Sequence, residues 1–143
     1  MLNVLIADDH AIVRKGLRDL LFEMDNDCYV VEAANGTEAL SLVPLRDWDI
    51  IILDISMPGM DGLTLLRHIK EKRPSLPILM LSMHGNEAYV RKSLRAGASG
   101  YLTKESAASE LVAAIRAVQA GHVYIGEGLR AFLDKDTGPG ALG

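Results

Sequence analysis

A single cysteine, Cys28, stands among the 143 residues, so no intramolecular disulfide can staple this chain. The lone thiol fits a reducing compartment, and its expected role is core filler. No apolar run approaches the roughly 18 residues of a membrane-spanning helix, and the amino terminus lacks a basic segment followed by a signal-type hydrophobic stretch. These absences point to a soluble cytoplasmic protein with no membrane partner. Concentrated positive charge is missing as well: the net charge is −4, and Lys and Arg are scattered along the chain. An electrostatic footprint for nucleic acid is thereby excluded, so direct DNA binding by this chain is not expected. Internal repeats are absent too.

What is present is enough apolar material, 49% of residues, to bury an ordinary core without metal or disulfide. Strand-like and helix-like runs alternate about five times, the pattern of a doubly wound parallel α/β sheet with helices on both faces. Leu2-Asn3-Val4-Leu5-Ile6-Ala7 reads as the first strand and ends in Asp8-Asp9. Tyr29–Ala33 reads as the second. The run Ile50-Ile51-Ile52-Leu53 ends in Asp54, Ile78–Leu81 ends in Ser82, and Ser99–Leu102 leads to Thr103-Lys104. Open α/β sheets place their ligands at the carboxyl ends of the strands, so these four ends offer acid, acid, hydroxyl and amine where chemistry is expected.

Helices fill the gaps. Val13, Leu17, Leu20 and Leu21 share one face of the first, and Asn35-Gly36 opens the second. Asp61-Gly62 opens the third, Asn86 caps the fourth with Gly97 as terminator, and Ser106 is the expected cap of the fifth. After Tyr124 the pattern changes. A short amphipathic piece around Leu129, Phe132 and Leu133 runs into Thr137-Gly138-Pro139-Gly140, so residues 1–124 are expected to form the domain. Residues 125–143 read as a linker or tail, too polar and glycine-rich to pack.

Three carboxylates gathered at strand ends repel one another, and a divalent cation relieves this most simply; hard oxygen ligands favour Mg2+. Magnesium usually takes one or two carboxylates plus substrate oxygens, so the cluster suits a phosphoryl group. Asp54, central and immobilised, is the best candidate for a nucleophile forming an acyl phosphate. Lys104 would neutralise a phosphoryl oxygen, and Ser82 would donate a hydroxyl hydrogen bond to it. Taken singly, each residue has a plainer explanation: Asp8-Asp9 as a helix cap, Ser82 as a turn former, Lys104 as a solvated charge, Tyr101 as a half-buried aromatic. His10, His68, His84 and His122 lack metal-ligand spacing and read as exposed or helix-terminal. Arg14, Lys15 and Arg18 read as a solvated helix face.

The motifs Asp8-Asp9, Leu53-Asp54-Ile55-Ser56-Met57-Pro58-Gly59-Met60-Asp61-Gly62, Ser82 and Tyr101-Leu102-Thr103-Lys104 resemble those of the receiver domain of two-component response regulators. The resemblance spans Met1 to about Gly121. It implies a flavodoxin- or CheY-like (βα)5 fold with five strands in the order 2-1-3-4-5. It makes Asp54 the phosphoacceptor for a sensor histidine kinase, with Mg2+ held by Asp9, Asp54 and the Ser56 backbone carbonyl, and by Asp8 through water. It makes Ser82 and Tyr101 a switch pair in which the hydroxyl turns toward the phosphoryl group and the ring rotates inward. Asp8-Asp9-His10, Arg95–Leu102 and Ala120–Tyr124 are most similar to the NarL/LuxR branch, whose members usually carry a carboxyl-terminal helix-turn-helix domain. Such a domain is not found here, so the chain reads as an excised receiver of a transcription regulator, with a naturally stand-alone receiver as the alternative. A homodimer through the first and fifth helices would fit the branch, although Arg14, Arg18, Arg116 and Gln119 give those helices no hydrophobic seam. The expected role is a phosphorylation switch and not a metabolic enzyme. Its rivals are a phosphate-independent interaction module and a magnesium-dependent phosphatase, the latter disfavoured because Ser56 stands where such enzymes place an acid.

Overall fold

The structure is a computed structural model that describes residues 1–136; Thr137 to Gly143, the expected end of the tail, lie outside the described residues. Strands and helices alternate as β1 (Leu2–Ala7), α1 (Ala11–Met24), β2 (Cys28–Ala33), α2 (Gly36–Leu42), β3 (Ile50–Asp54), α3 (Gly62–Lys72), β4 (Ile78–Ser82), α4 (Glu87–Arg95), β5 (Gly100–Thr103) and α5 (Lys104–Gln119). A short strand β6 (Tyr124–Ile125) and a final helix α6 (Arg130–Asp136) follow. The sheet order is β2-β1-β3-β4-β5-β6, and every pairing is parallel.

β3 is apolar at four successive positions because both its faces are covered, as parallel sheets require. Alternate side chains serve opposite layers. Ile50 and Ile52 join Val4, Ile6, Leu79 and Leu81 against Leu17 and Leu21 of α1 and Leu111 and Ile115 of α5. Ile51 and Leu53 join Leu5, Ile78 and Met80 against Leu65, Leu66 and Ile69 of α3 and Val90 of α4. Helix starts follow local chemistry: the side chains of Asn35, Asp61 and Asn86 accept from the N–H of Glu38, Thr64 and Tyr89. Gly97 closes α4 at φ +100°, where a side chain would be strained. Trp48, the expected anchor before β3, is buried and donates to the Leu42 carbonyl.

Three expectations need correction. The cap of α5 is Thr103, whose Oγ1 accepts from the Ser106 N–H at 3.1 Å, so Lys104 and not a later residue begins the helix. The sheet has six strands instead of five: Gly100 pairs with Tyr124 and Tyr101 with Ile125, and the Gly126 N–H donates to the Tyr101 carbonyl at 2.9 Å. The segment after Tyr124 also packs where its composition predicts a loose tail. Ile125 and Leu129 are buried, and Phe132 and Leu133 lie against the same core. The apolar face of the amphipathic piece outweighs its polar flanks because it meets the loop after β4: a Cβ on Gly85 would stand 2.1 Å from Leu129 Cδ2. Arg91 of α4 fastens the far end by donating to the Phe132 carbonyl at 2.9 Å.

Truncating Leu129 to Ala should therefore cost about 2 kcal/mol of unfolding free energy, at the low end for a buried leucine because the segment lies at the edge. The same truncation at Ile12, 82% exposed, should cost less than about 0.5 kcal/mol. Urea melts of the two variants beside the parent check this; equal midpoints would mean the segment does not contribute to the core.

Candidate functional site

β1 and β3 run side by side, Ala7 opposite Leu53, so their next residues Asp8 and Asp54 emerge together at the carboxyl edge. Asp8 is fully buried and Asp54 is 1% exposed. Asp8 is held by a local turn: its Oδ1 accepts from the His10 N–H at 2.8 Å, and its own N–H donates to the Ala33 carbonyl. The N-cap of α1 is His10, with no side-chain capping bond, so the Asp8-Asp9 carboxylates are not spent on capping the helix. Asp54 Oδ1 accepts from the Ser56 N–H at 3.1 Å. Behind it, α3 begins so close that a Cβ on Gly62 would stand 2.3 Å from the Asp54 carbonyl oxygen.

Lys104, first residue of α5, follows β5 and reaches both acids across the end of β4. Its Nζ lies 3.0 Å from Asp8 Oδ2 and 3.1 Å from Asp54 Oδ2, and its side chain is 8% exposed. The Asp54 contact is a hydrogen bond. The Asp8 contact is an ion pair without hydrogen-bond geometry, so the buried Asp8 Oδ2 accepts no hydrogen bond. Asp9, at the rim, likewise has a buried Oδ1 without one. Burial pushes the Asp54 carboxyl up; the Ser56 N–H opposes this, the Asp8 charge adds to it, and Lys104 opposes it without cancelling the rise. Burial works to lower the Lys104 ammonium, but the Asp8 and Asp54 carboxylates outweigh it and hold the ammonium above its ordinary value.

Ser82 is 3% exposed and stands at the end of β4, yet its hydroxyl donates to the His84 carbonyl and not to Asp54. Tyr101 is wholly buried instead of half-buried, and its hydroxyl, near Ser82, has no hydrogen bond. The ring is thus inward, while the Ser82 hydroxyl is turned toward the His84 carbonyl.

Two contacts escaped the sequence reading. His10, expected only at a helix end, also brings Nδ1 to 3.1 Å from Asp9 Oδ1 and 3.3 Å from Asp8 Oδ1. Among the described residues, Asp8, Asp9, His10 and Asp54 form a group whose ligand atoms lie within 4.8 Å of one another. Arg14 and Arg18 are not a solvated face: Arg14 donates to the Asp8 carbonyl at 2.6 Å, and both guanidiniums hold Glu32 of β2. Their spacing of four residues, one helical turn, was the available signal. A cleft of about 390 Å³ opens beside Asp9, walled by Ser56, Pro58, Asp61 and Tyr89.

A parallel sheet in this order, with its carboxylates gathered at one edge, defines the receiver class of signalling domains. Comparison with known proteins agrees: the response regulator receiver domain family matches residues 4–116, and the chain belongs to that family. Its relatives place it in the NarL/LuxR branch. It is 39% identical over 125 residues to the response regulator UvrY of Escherichia coli, covering 87% of this chain and 57% of UvrY. The chain thus spans little more than half of that relative's length. A LuxR-family response regulator from Aurantimonas superposes with a TM-score of 0.87 at 37% identity, over 94% of this chain and 96% of that one. The isolated REC domain of RcsB from Salmonella enterica, solved with the phosphomimetic BeF3−, gives 0.82 at 34% identity over 92% and 97%.

The raised Asp54 carboxyl makes its ionisation oppose folding. That cost is absent below the ordinary value of 3.8, grows as pH rises through the folded-state value, and is complete above it. Asp54→Asn should raise the melting temperature at neutral pH, with the gain shrinking in acid. Thermal melts across that range check it, and a lower melting temperature at neutral pH would contradict that ionisation cost.

Proposed function

We propose that this chain is a phosphorylation switch in which Asp54 accepts a phosphoryl group from the phosphohistidine of a sensor histidine kinase. The observation that carries this is the Lys104 ammonium shared between two buried carboxylates, 3.0 Å from Asp8 and 3.1 Å from Asp54. An Asp54 oxygen attacks phosphorus, the nitrogen–phosphorus bond breaks, and the donor imidazole leaves with its electron pair. Lys104 would take a phosphoryl oxygen as its next partner, and the Ser56 N–H, bonded to Asp54 Oδ1, would keep the carboxylate oriented.

Family membership implies a divalent cation, and the donor set fits one: hard carboxylate oxygens, two of them buried without a hydrogen bond. Asp9, Asp54 and the Ser56 backbone carbonyl would hold Mg2+, with Asp8 assisting through water. Bound magnesium supplies positive charge against which the crowded acids and the incoming phosphoryl oxygens can approach.

The output route follows from what Ser82 touches. If its hydroxyl turns to the phosphoryl group, the His84 carbonyl loses its donor, and Gly85 next to it carries the contact with Leu129. Displacing that loop would loosen the segment after β6, where a DNA-binding domain would join in a full-length transcription regulator. Self-association on phosphorylation and a cytoplasmic setting belong to the same reading; among the described residues, no helix is long and apolar enough to cross a membrane. Any self-dephosphorylation would serve the switch, not metabolic turnover.

Intact mass after incubation with magnesium and acetyl phosphate should show one added phosphoryl group, absent without magnesium and absent in Asp54→Asn. No gain from a folded, magnesium-binding chain would favour a phosphate-independent interaction module. Hydrogen exchange should also quicken in residues 126–133 of the phosphorylated chain, while unchanged protection there would disconnect the switch from that segment.

A further inference from the structure

We infer that His10 is a ligand of the acidic pocket, and that its nitrogen gives the site a preference for borderline divalent cations such as Zn2+ over Mg2+. The inference rests on the reading of this pocket as a cation site and concerns a residue to which that reading gives no role. Spacing is the first observation. Ligands at ~2.1 Å from one small ion lie ~3.0 Å apart when adjacent and ~4.2 Å apart when opposite. His10 Nδ1 stands 3.1 Å from Asp9 Oδ1 and 3.3 Å from Asp8 Oδ1, the adjacent separation, and the whole group closes within 4.8 Å. Only small side-chain shifts are needed, and the His10 side chain, 55% exposed, has room to make them.

The second observation is the buried acid itself. Asp8 is fully buried; its Oδ2 lies 3.0 Å from the Lys104 ammonium without a hydrogen bond, and its Oδ1 faces His10 Nδ1 at 3.3 Å. Lys104 contacts Asp8 and Asp54 and lies 3.4 Å from His10 Nδ1, so one ammonium stands against three carboxylates and the pocket retains negative charge that a cation would offset. The kind of cation follows from the donors: oxygen-only sites suit magnesium, whereas an imidazole nitrogen favours zinc and its neighbours in the first transition row. Neutral imidazole also adds a ligand without adding negative charge, so it contributes affinity where a fourth carboxylate would add repulsion.

Calorimetric titration of the whole chain with Zn2+ and with Mg2+, at one fixed pH above the histidine range, tests this in the parent, His10→Ala and Asp9→Asn. The parent should bind Zn2+ more tightly than Mg2+. His10→Ala should lower the ratio of zinc to magnesium affinity by ~tenfold or more, the low end of what even an outer ligand partner contributes. Asp9→Asn should weaken both ions, which separates this pocket from zinc held by His68, His84 or His122. An unchanged ratio in His10→Ala, with magnesium still bound, would overturn the role of His10 and leave the pocket reading intact. Binding of neither ion by the folded parent would overturn both.

Discussion

Lys104 Nζ stands between Asp8 Oδ2 and Asp54 Oδ2, and that one ammonium is what allows two buried carboxylates to share the end of a sheet. Buried charges are tolerated only when paired, and removing one partner of such a pair costs roughly 3–5 kcal/mol because the other is left uncompensated. A single positive charge cannot neutralise Asp8, Asp9 and Asp54 together. The pocket is therefore stable yet under-neutralised, and the Asp54 carboxyl is raised first by its burial and then by the Asp8 charge. A site in this condition gains from each cation it admits.

The sheet supplies the positioning. β1 lies between β2 and β3, so the chain crosses over on either side of it, and the crevice at such a point is where open α/β folds hold ligands. Every strand near the pocket has its partner's backbone on both sides, which leaves Asp8 and Asp54 little freedom. The surrounding loops add local restraints: Arg14 holds the Asp8 carbonyl, and α3 presses against Asp54 through Gly62, where a side chain would collide with backbone. Rigid strands and tight loop contacts place the acids before any ligand arrives, so little ordering entropy opposes binding.

Much of this was legible in the sequence because the signals were local. β3 reads from four apolar residues ended by an acid, and Asn35, Asp61 and Asn86 announce their helices by cap chemistry alone. Membership of the pocket was legible too, since parallel strands deliver their carboxyl ends to one edge. The misses share a physical cause: each depends on contacts between distant segments. β6 is two residues long and gains its identity from Gly100 and Tyr101 beside it. Leu129 becomes core only because Gly85 leaves space for it. The pairing of Arg14 and Arg18 with Glu32 needs the register of α1 over β2, and His10 needs the turn that Asp8 makes with it. Thr103 displaced Ser106 as a cap because α5 begins at Lys104, directly after β5 and three residues earlier than a Ser106 cap would require.

In the proposed switch, the energetics turn on Ser82 and Tyr101. Tyr101 is buried while the Ser82 hydroxyl points to the His84 carbonyl, so the two side chains are not both turned toward the pocket. What remains to change is the bond from Ser82 to His84, worth about 0.5–1.5 kcal/mol as a neutral hydrogen bond. A hydroxyl bonded to a charged phosphoryl oxygen is worth about 1.5–3 kcal/mol, so the exchange favours movement only modestly. Reversing a two-state population from 1:99 to 99:1 takes about 5.5 kcal/mol. Ser82 alone falls short of that, and the remainder has to come from elements that shift with it. The loop through Gly85, the Leu129 contact and the Arg91 bond to Phe132 are such elements. These contacts link the loop after β4 to α6, so in the proposed switch a movement of Ser82 would be passed on to the segment after β6.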